Sequence, residues 1–194
     1  MLKKDIIESL LGKDKNKKKS KIPAKLDFWQ SATGLILAIF IMFHLIFESS
    51  ILLGSDAMYS LTKFFEADFI FEGGEPLVIS GLAFIIFTIF IIHSFLAMRK
   101  IPSKYKDYLR LKTHIRLIKH NDTTLWLVQV ISGFIMFFLG SVHLYIMMTQ
   151  PQKIGPFLSS DRIYSDVMWP LYLLLLVSVI MHAFIGIYRL IVKW

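Results

Sequence analysis

Four stretches of this chain run for at least 20 residues without one Asp, Glu, Lys or Arg: Phe28–Phe47, Leu77–Met98, Thr123–Gln152 and Val167–Tyr188. An α-helix of about 20 apolar residues crosses a hydrocarbon core about 30 Å thick with every backbone amide bonded inside the helix. A closed barrel also satisfies its backbone in lipid, but its strands are about 10 residues long and alternate apolar with polar. These runs are too long and too evenly apolar for that. Composition agrees, with 55% hydrophobic and 19% charged residues, where a soluble domain carries about 25% charged. The expected fold is all-α, a transmembrane four-helix bundle. Disorder and coiled coils are excluded. With Cys at 0, the chain can hold no disulfide scaffold, no iron–sulfur cluster and no Cys-x-x-Cys-His haem attachment.

Charge between the spans gives an orientation. Nine Lys fall in residues 1–27 and eight Lys or Arg between Arg99 and Thr124, while Gly54–Pro76 holds only Lys63 and Gln150–Asp166 only Lys153 and Arg162. Basic residues gather on the cytoplasmic side. Both termini and the second loop are therefore expected inside, with 19 of the 22 basic residues, in a multi-pass protein of the inner (cytoplasmic) membrane. The chain divides into a basic cytoplasmic segment, 1–27, and a transmembrane domain, 28–194. The basic segment is too long for a cleavable signal, and a full span follows it. Its Lys13–Lys25 run suits a tail near anionic lipid, at about 1 kcal/mol per basic residue, or a docking face for a soluble partner. Residues Ser103–Ile118 read as an interfacial amphipathic helix, with Tyr105, Leu109, Ile115 and Ile118 among its apolar positions. No internal repeat stands out.

Of six histidines, four fall inside the spans, one per helix: His44, His93, His143 and His182. Ionisable residues in transmembrane segments are rare and mark function. His114 and His120 sit in the basic loop and read as solvated. At 1.5 Å per residue, His44 lies ~24 Å and His143 ~30 Å outward from the inner ends of their spans. His93 lies ~24 Å and His182 ~22 Å inward from the outer ends of theirs. The four imidazoles thus form two levels: His44 with His143 outside, His93 with His182 inside.

Two imidazoles at one depth can fill both axial positions of a haem iron, leaving no open site for oxygen, which suits electron transfer. Zinc or copper fits less well, because each level has two His and no Cys or carboxylate pair. Unligated histidines relaying protons would give no reason for pairing by depth. Small residues, Gly133, Gly140, Ser178, Gly186 and Ala97, offer room for a porphyrin or simply close helix packing. Haem propionates cannot lie unpaired in lipid. Gln30, Ser31, Trp126 and Lys193 can serve the inner pair, and Arg162 is the best cation for the outer one. Trp126 reads equally as an interfacial anchor.

At this point four runs carry a resemblance: Lys25-Leu26-Asp27-Phe28-Trp29-Gln30-Ser31-Ala32-Thr33-Gly34, Asp68-Phe69-Ile70-Phe71-Glu72-Gly73-Gly74, Gly140-Ser141-Val142-His143-Leu144-Tyr145 and Met168-Trp169-Pro170-Leu171-Tyr172. From about residue 20 onward the chain resembles the dihaem cytochrome b subunits of fumarate reductase, within the succinate:quinone oxidoreductases. The resemblance implies two stacked haems b, the inner ligated by His93 and His182 and the outer by His44 and His143. It implies that Gln30, Ser31, Trp126 and Lys193 hold the inner propionates. It implies flavoprotein and iron–sulfur partners on the cytoplasmic face, menaquinone or menaquinol as substrate, and a homodimer of the complex among the possible assemblies. No dicarboxylate site is expected in this chain, and no nucleic acid partner.

Glu66 falls where the menaquinol-oxidising members keep a carboxylate at the quinol site. Quinol oxidation releases protons, so a base there is chemically sensible. Met58, Leu61, Phe65 and Phe69 are expected to lie on the membrane beside it. Without the resemblance, Glu66, Asp68, Glu72 and Glu75 would read as one solvated acidic loop. Two departures matter. Such proteins usually carry a fifth helix, whereas this sequence stops at Trp194, as a shorter variant or a piece of a longer chain would. Some relatives have a carboxylate at the position of Ile180, proposed to carry protons inward. Glu48 lies too far out to replace it. Alternative functions are a cytochrome b anchor of a hydrogenase or formate dehydrogenase, although those often place two ligands on one helix, and a histidine-based transporter or proton channel.

Overall fold

The computed structural model describes residues 21–102, 104–118 and 121–194. The lysine-rich segment before Lys21 and His120 lie outside the described residues. Within them the chain is helical and contains no strand. Four long helices are apolar enough to span a membrane: α1 (Ile22–Ser49), α3 (Pro76–Met98), α5 (Asn121–Thr149) and α7 (Trp169–Lys193). Shorter helices join them. They are α2 (Ser55–Phe65), α4 (Tyr105–Ile118), which is the expected amphipathic helix, and α6 (Pro156–Tyr164).

The ends of the spans are set by proline and charge. Pro23 sits in the first turn of α1, where its fixed φ suits a helix start. The helix therefore begins at Ile22, six residues before the apolar run at Phe28. Asp27 comes to lie on it, paired with Arg99 at the end of α3, with Lys100 at 3.4 Å and with Lys193 of α7 at 3.9 Å. Helix α3 starts at Pro76, with the Glu75 carboxylate accepting from the Leu77 amide at 3.1 Å, a side-chain cap on an orphan donor. Helix α5 stops at Thr149, short of the expected Gln152, because Pro151 opens a separate short turn. Val167 was expected inside the last span but has φ 54°, so the chain turns there and α7 begins at Trp169.

Each long helix packs on its neighbours in sequence, and α7 closes on α1. Hence α1 faces α5, and α3 faces α7, across the middle. The well-buried residues form a waist at mid-height. Ala83, Ile86 and Phe90 are buried on α3, and Leu175 and Val179 on α7, with Gly140 of α5 between Phe90 and Leu175. The outer faces carry large exposed apolar side chains, including Phe43, Phe84, Phe138 and Phe184. Such a continuous apolar surface belongs in lipid.

Candidate functional site

The two histidine levels lie on either side of the waist. At the end of the bundle that carries the basic residues, His93 and His182 face each other with ring centroids 6.5 Å apart and planes crossed at 86°. At the other end, His44 and His143 have centroids 6.0 Å apart at 50°. Each pair joins diagonal helices: α3 with α7, α1 with α5. Two in-line metal–imidazole bonds of about 2.0–2.1 Å would hold ring centroids roughly 6 Å apart. Among the described residues no third His, Cys, Asp or Glu joins either pair to make a metal-binding group. The donor set is thus wrong for a four-ligand zinc site and right for a metal whose other positions a planar macrocycle fills.

The basic-end imidazoles are anchored by the opposite ring nitrogen. His93 Nδ1 lies 3.1 Å from Thr33 Oγ1 on α1. His182 Nδ1 lies 2.9 Å from the Gln129 carbonyl and 3.4 Å from Ser132 Oγ, both on α5. Each ring rests on a glycine. A Cβ on Gly34 would come within 2.9 Å of His93 Cε1, and one on Gly133 within 2.9 Å of His182 Cε1. Gly140, by contrast, packs against the waist, and Gly186 against the Gln129 amide. In the other pair, His44 stacks on Phe40 and His143 meets the edge of Tyr172. His143 Nδ1 is buried without a hydrogen-bond partner.

The residues expected to receive carboxylates are distributed as follows. Lys193 Nζ reaches Ser31 Oγ at 3.4 Å and lies 3.9 Å from Asp27. Gln30 Oε1 is buried without a partner. Trp126 lines a cleft with Lys100, Asp122 and Arg189. At the opposite end Arg162 is only 6% exposed. Its Nη2 donates to the Lys153 carbonyl at 2.7 Å, its Nε is buried and unpartnered, and among the described residues no carboxylate pairs with it. A buried guanidinium in that state calls for an anion.

Glu66 does not belong to a solvated acidic patch. It ends α2 at 3% exposure while Asp68 and Glu72 are exposed. Lys63 Nζ binds its Oε2 at 2.6 Å and is itself fixed by the Gly73 carbonyl at 2.9 Å. That bond to Glu66 holds the Lys63 ammonium above its ordinary range. The loop closes over Glu66 through left-handed backbone at Ala67, Gly73 and Gly74, and Gly74 approaches so closely that a Cβ there would lie 2.6 Å from Glu66 Oε2. The apolar residues around it divide. Met58 is buried against the bundle, whereas Leu61, Phe65 and Phe69 are exposed, Phe65 meeting Phe47 on α1 at 5.2 Å. Phe47 is one turn from His44.

Residues 105–194 match the family model described as succinate dehydrogenase/fumarate reductase transmembrane subunit. Over all 194 residues, and 76% of the relative, the chain is 59% identical to the fumarate reductase cytochrome b subunit of Wolinella succinogenes. Over the same span and share it is 50% identical to the fumarate reductase cytochrome b subunit of Helicobacter pylori (strain ATCC 700392 / 26695). The chain belongs to the succinate dehydrogenase/fumarate reductase transmembrane subunit family. It is a multi-pass membrane subunit, and the hydrogenase, formate dehydrogenase and transporter readings fall away.

What sequence reading missed in this subunit is the support of the basic-end pair. A signal existed. Gln30, Thr33, Gly34 and His44 recur as Gln129, Ser132, Gly133 and His143, each 99 residues later. On the partner helices Ile86, Phe90, His93 and Ala97 correspond to Leu175, Val179, His182 and Gly186, each 89 residues later. The chain does contain an internal repeat, of two helix hairpins. Its signal is faint because the matching positions are few and scattered at helical spacing.

Proposed function

We propose that this subunit anchors a quinol:fumarate reductase and transfers electrons across the membrane, oxidising menaquinol at the outer side and delivering electrons to an iron–sulfur subunit on the cytoplasmic face. A flavoprotein beyond that subunit would carry the dicarboxylate site. The observation that carries the reading is the pair of crossed imidazole couples, at 6.0 and 6.5 Å between centroids, on diagonal helices. His93 and His182 would hold an inner haem b, and His44 and His143 an outer one. One orphaned polar atom fits such a group: the buried Nε–H of Arg162 is a donor without an acceptor, as an outer carboxylate would need. Gln30, Ser31, Trp126 and Lys193 would meet the inner propionates and Arg162 an outer one. When bound, a bis-histidine haem supplies one-electron transfer with no open position for oxygen.

The remaining chemistry is done by this chain's own groups. Quinol gives up two protons with its two electrons, so a carboxylate beside it must take protons and pass them to the outer water. What supports Glu66 in that role is its position at the end of a helix whose Phe65 meets Phe47, one turn from His44. Its bond to Lys63 keeps the carboxylate fixed. Run in reverse, the same parts reduce quinone with electrons from succinate. The basic residues of the second loop and N-terminus support a topology with both termini in the cytoplasm.

The test is a reduced-minus-oxidised spectrum of the purified complex. The wild type is expected to show two b-type haems per chain. His93→Ala or His182→Ala should lose one and keep the other, with the chain still inserted in the membrane. Unchanged haem content in either variant would overturn the ligand assignment.

A further inference from the structure

The repeat of Gln-x-x-Ser/Thr-Gly on α1 and α5 builds the same device twice. On each helix the hydroxyl donates to the backbone carbonyl four residues back. Thr33 Oγ1 donates to the Trp29 carbonyl at 2.8 Å, and Ser132 Oγ to the Val128 carbonyl at 2.8 Å. A hydroxyl has one proton to give. With it committed to the helix, the oxygen turned towards the imidazole can only accept. The Gln129 carbonyl, also against His182 Nδ1, can only accept as well. Nδ1 must therefore carry the proton, and the lone pair is left on Nε2. The glycine that follows each hydroxyl residue lets the ring lie flush on the helix, where any Cβ would strike Cε1.

We propose that Thr33–Gly34 and Ser132–Gly133 are a duplicated imidazole cradle, in which Thr33 and Ser132 are positioning residues that fix His93 and His182 in the Nδ1–H form and present Nε2 to the inner metal. This rests on the haem reading above. The outer pair lacks the device, since the Nδ1 of His143 has no partner. The two levels of one protein are thus supported differently. A ligand that donates from Nδ1 is more electron-rich and stabilises the oxidised metal. Thr33 carries most of the hydroxyl effect, because its contact is 3.1 Å and that of Ser132 is 3.4 Å beside a closer carbonyl.

The experiment is an equilibrium redox titration of the intact complex, following the two b-type absorbances in wild type, Thr33→Val, Thr33→Ser and Ser132→Ala. Thr33→Val is expected to move the midpoint potential of one haem, the one lost in His93→Ala, to a more positive value, and to leave the other in place. Ser132→Ala should give a smaller shift of the same haem, and Thr33→Ser should match wild type. Loss of that one haem in Thr33→Val with retention in Thr33→Ser would equally support the hydroxyl's role. Unmoved potentials in Thr33→Val, equal shifts of both haems, or a Thr33→Ser variant as altered as Thr33→Val would each overturn it. Wild-type complex without two haems would instead sink the ligand reading on which the proposal stands.

Discussion

Gly34 and Gly133 show how one missing Cβ decides what a helix can hold. Neither needs a glycine's backbone freedom, because both lie in regular helix. Each is glycine because an imidazole carbon occupies the place of its side chain. Gly140 faces its nearest neighbour, Phe90 Cζ, at 3.6 Å from a built Cβ, an ordinary contact distance. Gly34→Ala and Gly133→Ala should therefore displace His93 or His182 and diminish the haem they would hold, whereas Gly140→Ala should be tolerated. Haem content per chain, read from the pyridine haemochrome spectrum, checks this. A Gly140→Ala variant as depleted as the other two would mean the losses report general packing. The four histidines were legible at once, because an ionisable group in an apolar run has to be explained. The glycines were not, because a small residue in a membrane helix has an ordinary packing explanation, and only the ring lying against it distinguishes the cases.

The outer loop is the element whose sequence said least about its structure. Four acidic residues between Glu66 and Glu75 look alike on the page. What separates Glu66 is the end of α2, a Lys three residues earlier, and a left-handed turn that folds Gly73 and Gly74 back over it. None of those is visible in a count of charges. Lys63 is held protonated beyond its ordinary 10.5. A group whose folded pKa is raised stabilises fully below its unfolded value and loses that contribution as pH climbs through the folded one. The pair therefore persists through the neutral range and weakens only above about 10.5. Lys63→Met should leave the buried Glu66 carboxylate without its donor, at a cost of about 1–3 kcal/mol, and lower the thermal midpoint of the purified complex, while Lys63→Arg keeps it. Glu66→Gln should retain both haems yet abolish oxidation of a menaquinol analogue. Normal turnover in Glu66→Gln would move the quinol base elsewhere. A thermal midpoint unchanged in Lys63→Met would show that the pair adds nothing to the loop.

At the scale of the whole molecule, the architecture is two helix hairpins related by the repeat, joined by an amphipathic helix and packed around a common waist. Span count and the two levels of histidine were readable from length and rise per residue. The ring order of the helices was not, because membrane helices carry no apolar stripe to aim one face inward when lipid is as apolar as a neighbouring helix. Orientation is a separate matter from fold, since the same bundle could lie in the bilayer either way up. The asymmetry of charge argues for one direction. The α4 side carries the lysines and arginines of the second loop, and the Glu66 side is nearly free of them. Cys is 0 in this chain, so a single introduced thiol is the only one it can offer. Glu72→Cys and Lys106→Cys place that thiol at exposed positions on opposite ends. In intact cells a membrane-impermeant maleimide that reaches the periplasm should label Glu72→Cys and spare Lys106→Cys until the inner membrane is opened. The reverse pattern would put Glu66, the proposed quinol base, on the cytoplasmic side. It would also put the basic end, with His93 and His182, on the side away from the soluble partners to which electron delivery is proposed.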